Sequence, residues 1–145
     1  MSSTDADQRR FAITPELTKP ARAVIIDGLA SLQLDDPQAV TGRDPATGYD
    51  GPFQLKLLNH DPDTDEDHYL VRYPAGLRGG RHRHSAAHTI VVLEGRLEAN
   101  GQVIGPHAYA HFPAAEVMRH QATAEGPCLF VLLFNGRFDV QEFED

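Results

Sequence analysis

Eight histidines occur in this chain, and six of them fall between positions 82 and 120. The first three read His82-x-His84-x3-His88. On a β-strand, residues two apart project from the same face, so His82 and His84 share a direction. The stretch that follows, His88-Thr89-Ile90-Val91-Val92-Leu93, is β-branched and ends at a turn signal, Glu94-Gly95. Two antiparallel strands can then aim three imidazoles at one point, and imidazole is the commonest side-chain ligand of transition metals. His120, after Phe112-Pro113, is a fourth candidate.

A lone histidine on a strand is more often a surface or hydrogen-bonded core residue than a ligand. Three at ligand spacing, on either side of a tight connection, favour metal. The remaining histidines carry less. His60 and His68 sit in the acidic run from Asn59 to His68, which reads as a solvated loop. His107 and His111 are two apart near a strand start; one face of that strand would carry them toward the site or out to solvent, and both stay unassigned. Arg78, Arg81 and Arg83 crowd the histidine segment and read as outward charge alternating with inward imidazole.

Short β-type runs punctuated by ten prolines and twelve glycines must position these groups. Candidate strands are 23–26, 53–58, 68–73, 80–84, 88–93, 96–99, 103–104, 109–112, 120–123 and 129–134. Asn100-Gly101 between two of them is a tight-hairpin signal. No segment after residue 50 keeps a long helical period, so the pattern predicts an all-β sandwich or barrel. Residues 1–12 are expected to be a flexible tail and 13–145 a single domain with a real core. The segment Asp35 to Pro52, rich in Asp, Pro and Gly, reads as a loop.

Charge and targeting signals narrow the partners. The formal net charge is -8, which argues against a nucleic-acid surface. The polar, acidic N-terminus lacks the pattern of a signal peptide, and no apolar run approaches membrane-spanning length. The single cysteine, Cys128, opens the apolar run to Phe134 and reads as a small buried hydrophobe. A cytoplasmic location fits best. Val91/Leu93 and Leu129/Val131/Leu133 place apolar residues on both strand faces. Such strands need cover outside the barrel, and a homodimer interface would supply it.

The residues so far resemble the cupin superfamily. Its first motif, G-x5-H-x-H-x3/4-E-x6-G, is matched in every spacing by Gly76, His82, His84, His88 and Gly95, with His88 where the family usually has glutamate. The second, G-x5-P-x-G-x2-H, is looser: Pro113 fits, Ala115 replaces the glycine, and Met118 takes the usual histidine place. His120 follows two residues later, a shift that preserves strand-face parity. The resemblance implies a β-sandwich barrel holding a metal between two sheets, often as a dimer. Among cupins the chain is similar to small acetylacetone-cleaving and dihydroxyacetophenone dioxygenases, to cupin anti-sigma domains, and to small zinc polyketide cyclases.

The resemblance implies a divalent transition metal held by His82, His84, His88 and His120. Iron(II) is the favoured ion, with zinc or nickel as alternatives. Replacing the family's carboxylate with His88 raises the charge of the metal site from about +1 to about +2, a stronger Lewis acid. Four protein ligands on an octahedral ion leave two positions, which suit a substrate chelating through two oxygens. The site also loses its own carboxylate base. Glu116 is a candidate catalytic replacement, although a surface loop charge is the commoner role for such a residue. Tyr69, Tyr73, Tyr109, Phe130 and Phe134 are candidates for the pocket lining, or simply core. The expected function is an iron(II) dioxygenase acting on O2 and a small diketone, hydroxyketone or phenolic substrate. Alternatives are a non-redox zinc or nickel lyase, isomerase or cyclase, and a non-catalytic metal sensor. Against the sensor, the stretch before Ala23 is too short and proline-interrupted for a helical partner-binding domain.

Overall fold

In the computed structural model, residues 23–35 and 49–142 are described. The tail expected at 1–12 and most of the loop expected at 35–52 lie outside them. Ten strands follow one 3-10 turn, Leu29–Ser31. They are β1 (Gln54–His60), β2 (Asp67–Tyr73), β3 (His82–Arg83), β4 (His88–Glu94), β5 (Leu97–Ala99), β6 (Gln102–Ile104), β7 (Tyr109–Phe112), β8 (His120–Ala122), β9 (Cys128–Phe134) and β10 (Gln141–Glu142). The all-β expectation holds among the described residues, and no helix there is long and apolar enough to cross a membrane.

Alternation along the strands sorts them into layers. One antiparallel sheet runs β1-β2-β9-β4-β7 and a smaller one runs β6-β5-β8. β3 pairs with β10. It also exchanges backbone hydrogen bonds with Met118, at 2.9 and 2.8 Å, which joins it to the small sheet just before β8. Val71 and Tyr73 of β2, Ile90 and Val92 of β4 and Phe130 of β9 face Leu97 and Ala122 of the small sheet in one core. Period-two alternation sends Leu70 and Leu129 to the opposite face. There they pack with Leu34, with Leu32 and Val131 around them. Part of the cover expected from a second copy is thus supplied by the chain's own segment before β1.

Three turns depend on left-handed backbone. Asn100 and Gly101 have φ of 49° and 84°, as a two-residue type I′ hairpin between β5 and β6 requires. Gly95 has φ 74°, and a Cβ there would lie 2.2 Å from the Pro127 carbonyl oxygen. Ala115 has φ 65°. It stands where the cupin motif has glycine, and its conformation gives the reason for that preference.

Two strand expectations fail. Residues 23–26 join no ladder, and Ile25 is 89% exposed. β-branched residues favour a half-buried pleated surface, and this segment has none beneath it. β10 was not expected, because two residues carry no readable alternation.

Gly95 and Ala115 give opposite outcomes on substitution. Gly95→Ala adds both strain and a backbone clash and should cost at least about 2 kcal/mol. Ala115→Gly should stabilise by roughly 0.5–1 kcal/mol, the relieved strain less the entropy that glycine adds to the unfolded chain. Thermal melts check both; an Ala115→Gly protein melting below wild type would contradict the strain argument.

Candidate metal centre

Strand parity brings His82 inward from β3 and His84 inward from the residue just past its end. Arg81 is exposed and Arg83 half-buried between and beside them, as the alternating pattern anticipated. His120 enters from β8 on the same small sheet, opposite Ala99 of β5. Asn100 fixes that entry: its N–H donates to the Arg119 carbonyl at 2.8 Å, and its Oδ1 accepts from the Arg119 N–H at 2.9 Å. Met118, at the motif's usual histidine place, is buried beside it. The shift of two therefore preserved the inward face. One nitrogen from each of His82, His84 and His120 lies within 4.8 Å of the others.

His88 approaches from across the barrel, but it is not in the group whose nitrogens lie within 4.8 Å of one another. It lies on β4 of the large sheet, directly opposite Phe112 of β7 and Phe134 of β9. The first three histidines therefore do not converge as two paired strands; they meet between two sheets. Phe112 and Phe134 stack on the His88 ring, with centroids at 4.9 and 4.8 Å and interplanar angles of 18° and 24°. Its ring centroid is 4.7 Å from that of His84 and 5.5 Å from that of His120. All four imidazoles are buried.

Hydrogen bonding fixes which nitrogens face inward. His82 Nδ1 is 2.9 Å from the Gly80 carbonyl oxygen, and His84 Nδ1 contacts the Asp139 carbonyl oxygen. A carbonyl only accepts, so both Nδ1 atoms carry a proton, and in the neutral rings both Nε2 atoms carry a lone pair. Those two Nε2 atoms are 3.1 Å apart. Two lone pairs at that distance repel, and a shared cation relieves the repulsion. His120 Nε2 and both nitrogens of His88 are buried without a hydrogen-bond partner. This donor set fits a divalent transition metal, which takes neutral imidazole.

Burial also suppresses the charge of the cluster. It lowers His84 to about 4 from 6.5, against the opposing hydrogen bond to Asp139. It lowers His88 to about 3, with His84 and His82 adding repulsion. His120 is pushed well below the usual range, by burial first and then by its three neighbours.

The rest of the wall is apolar. A cavity of about 190 Å³ is lined by Tyr49, Phe53, Leu55, Tyr69, Val71, Tyr73, Leu132, Phe134 and Phe138 together with His82, His84 and His120. Tyr69, Tyr73 and Phe134 had been anticipated. Phe130 is instead core and Tyr109 is 67% exposed. Glu116 is exposed on the Pro113–Glu116 turn and does not line the cavity, so the catalytic role considered for it has no geometric support. His107 and His111 are exposed, the latter bonded to Thr89 at 2.8 Å. His60 and His68 belong to β1 and β2 and pair with Asp67 and Glu66.

Tyr49, Phe138 and Asp139 were missed from sequence. Tyr49 Oη lies 2.7 Å from His120 Nδ1, and Tyr73 Oη lies 3.1 Å from it. Asp139 clasps Ser85 by accepting from its N–H at 2.7 Å and from its hydroxyl, which also holds the Asp139 carboxyl below its ordinary range. No local signal marks these residues; Tyr49 meets His120 across 71 positions and Asp139 meets Ser85 across 54.

The pH dependence of the metal-free protein follows. The unfolded histidines protonate near 6.5, whereas His84 and His88 stay neutral to about 4 and about 3 when folded. Their folded values are depressed, so stability is complete above pH 6.5 and is lost as pH falls toward 4 and then 3. Each such histidine should contribute a slope of about 1.4 kcal/mol per pH unit across that window. Chemical denaturation at stepped pH measures it, and a stability independent of pH between 7 and 5 would contradict neutral burial.

Comparison with known proteins places this geometry in context. A putative acetylacetone dioxygenase from Methylibium petroleiphilum superposes with a TM-score of 0.64 at 15% identity, over 87% of this chain and 85% of that one. The acetylacetone dioxygenase of Acinetobacter johnsonii gives 0.63 at 16%, over 88% and 80%. The polyketide cyclase RemF of Streptomyces resistomycificus gives 0.62 at 15%, over 85% and 88%. At these identities the likeness shows the fold alone. Compared by sequence, the chain matches no curated protein. A family model does match, described as the ChrR cupin-like domain and aligned to residues 47–138, which span more than half of the chain and all four buried histidines. The chain belongs to the ChrR cupin-like domain family, within the cupins.

Proposed function

We propose that the protein is a metal-dependent cupin enzyme, an iron(II) dioxygenase that cleaves a carbon–carbon bond in a small substrate chelating through two oxygens. The observation that carries the reading is the pair of buried imidazole Nε2 atoms, 3.1 Å apart, at the wall of an apolar cavity. Iron(II) held by His82, His84 and His120, with His88 as fourth ligand, would supply oxygen activation and an electrostatic pull on an enolised substrate. The chain's own residues do the rest. Phe134, Phe138, Leu132 and Val71 exclude water, and Phe112 and Phe134 hold His88 against rotation.

Size and charge restrict the substrate. An enclosed cavity of about 150 Å³ accommodates benzene, so this partly open one has room for a molecule of at least roughly six non-hydrogen atoms. Among the described residues, no lysine, arginine, aspartate or glutamate lines it. The substrate must therefore bring an acidic proton of its own, as a β-diketone, hydroxyketone or phenol does. A non-redox zinc or nickel lyase, isomerase or cyclase is favoured by His88 in the glutamate place, because a neutral donor set leaves the metal a stronger Lewis acid.

Elemental analysis of protein purified without added metal, followed by oxygen uptake on small diketones and catechols, tests this. Iron content with substrate-dependent oxygen consumption is the expected result; turnover unchanged under strict anaerobiosis excludes the dioxygenase. His88→Ala should weaken metal affinity by more than about 100-fold, beyond the effect of an outer-shell partner, and His88→Glu should partly restore it. Wild-type metal content in His88→Ala after dialysis against a chelator removes His88 from the ligand set.

We also propose a homodimer, formed through the outer face of the large sheet left uncovered by Leu32 and Leu34. A monomer by sedimentation at high micromolar concentration rules it out.

A further inference from the structure

Two phenol oxygens and the residue's own carbonyl oxygen meet beside His120 Nδ1. Tyr49 Oη is 2.6 Å from the His120 carbonyl oxygen and 2.7 Å from His120 Nδ1. Tyr73 Oη is 2.7 Å from Tyr49 Oη and 3.1 Å from the same Nδ1. Both phenols are buried. The carbonyl can only accept, and Tyr49 has a single proton, which goes there. Tyr73 then donates to Tyr49 Oη. The other lone pair of Tyr49 Oη faces Nδ1 and needs a donor, which Nδ1–H provides. Three donors meet three acceptor positions and all are filled.

The opposite tautomer breaks this arrangement. With the proton on Nε2, Nδ1 would have to take the longer bond from Tyr73, and Tyr49 Oη would lose both of its donors. The Nε2–H would itself be buried without a partner. Tyr49 is therefore the shared acceptor on which the tautomer depends, and Tyr73 acts through it.

A glycine makes the seat. Gly79 pairs with Tyr49 through a backbone bridge, and a Cβ on Gly79 would lie 2.6 and 2.9 Å from ring atoms of Tyr49. The Gly79 N–H donates to Gln121 Oε1 at 3.3 Å, tying the seat to the neighbour of His120.

We infer that Tyr49, seated on Gly79 and backed by Tyr73, is the positioning residue that holds His120 as its Nδ1–H tautomer and so presents Nε2 to His82 and His84. The effect on metal affinity rests on the reading above that His120 is a ligand; the tautomer itself does not. Nitrogen NMR on the ¹⁵N-labelled, metal-free full chain at neutral pH reads the tautomer directly. Wild type and Tyr73→Phe should show Nδ1–H at His120, whereas Tyr49→Phe should shift toward Nε2–H. Zinc titration against a chromophoric chelator should show Tyr49→Phe weakened by about 10- to 100-fold, with Tyr73→Phe weakened less. An Nε2–H His120 in wild type overturns the inference, as does a Tyr49→Phe protein with an unchanged tautomer and zinc affinity. If Tyr49→Phe does not fold, the wild-type spectrum still decides the tautomer, and Gly79→Ala, which displaces the same ring, replaces it in the titration. A wild type that shows Nδ1–H yet binds no zinc refutes the ligand reading and upholds the tautomer assignment.

Discussion

Four imidazoles buried between two sheets impose the constraint on which the rest of this structure turns. A buried N–H without an acceptor costs about 1–3 kcal/mol, a large fraction of the 5–15 kcal/mol that holds an ordinary domain together. Each ring therefore needs an acceptor on its outer nitrogen, and much of the architecture supplies one. Gly80 offers its carbonyl to His82, Asp139 its carbonyl to His84, and Tyr49 its hydroxyl to His120. β10 and the clasp between Asp139 and Ser85 make sense in these terms, because they hold a backbone carbonyl against an imidazole. His88 is the exception. It has no such acceptor and is held by two phenyl faces instead.

The two sheets divide the labour. The small sheet and β3 carry three histidines on short segments fastened at both ends, so their nitrogens keep fixed relative positions. The large sheet carries His88 and most of the cavity wall, through Leu55, Tyr69, Val71, Tyr73, Leu132 and Phe134. Charge stays outside: Arg81 is exposed, and the acidic β1–β2 hairpin pairs its carboxylates with His60 and His68 at the surface. In an interior of low polarizability any charge introduced at the histidines acts strongly on what lies beside it. Among the described residues the wall has no charged side chain to compensate that field.

Legibility in the sequence followed the range of the interactions. The His82/His84 pair, the Asn100-Gly101 hairpin and strands β2, β4 and β9 are set by alternation and turn chemistry over a few residues, and they were read correctly. His120 was found because parity survives a shift of two. The convergence of His88 from the opposite sheet was misread, since nothing local tells a hairpin from a crossing between layers. Tyr49 was hidden in a stretch whose Asp, Pro and Gly content says only loop; its meaning comes from a partner 71 positions away. Residues 23–26 erred the other way, with strong strand propensity and no neighbouring strand to satisfy it.

The clasp between Ser85 and Asp139 joins positions 54 apart, and the contact between Tyr49 and His120 spans 71. Closing such loops costs chain entropy before any local contact repays it, which makes folds of this kind slow to form. No single hairpin contains the histidine cluster; it comes into being only when both ends of the barrel have closed. A metal ion would therefore meet a complete site only at the end of folding, and its capture would act as a ratchet on the last step rather than as a nucleus for the first.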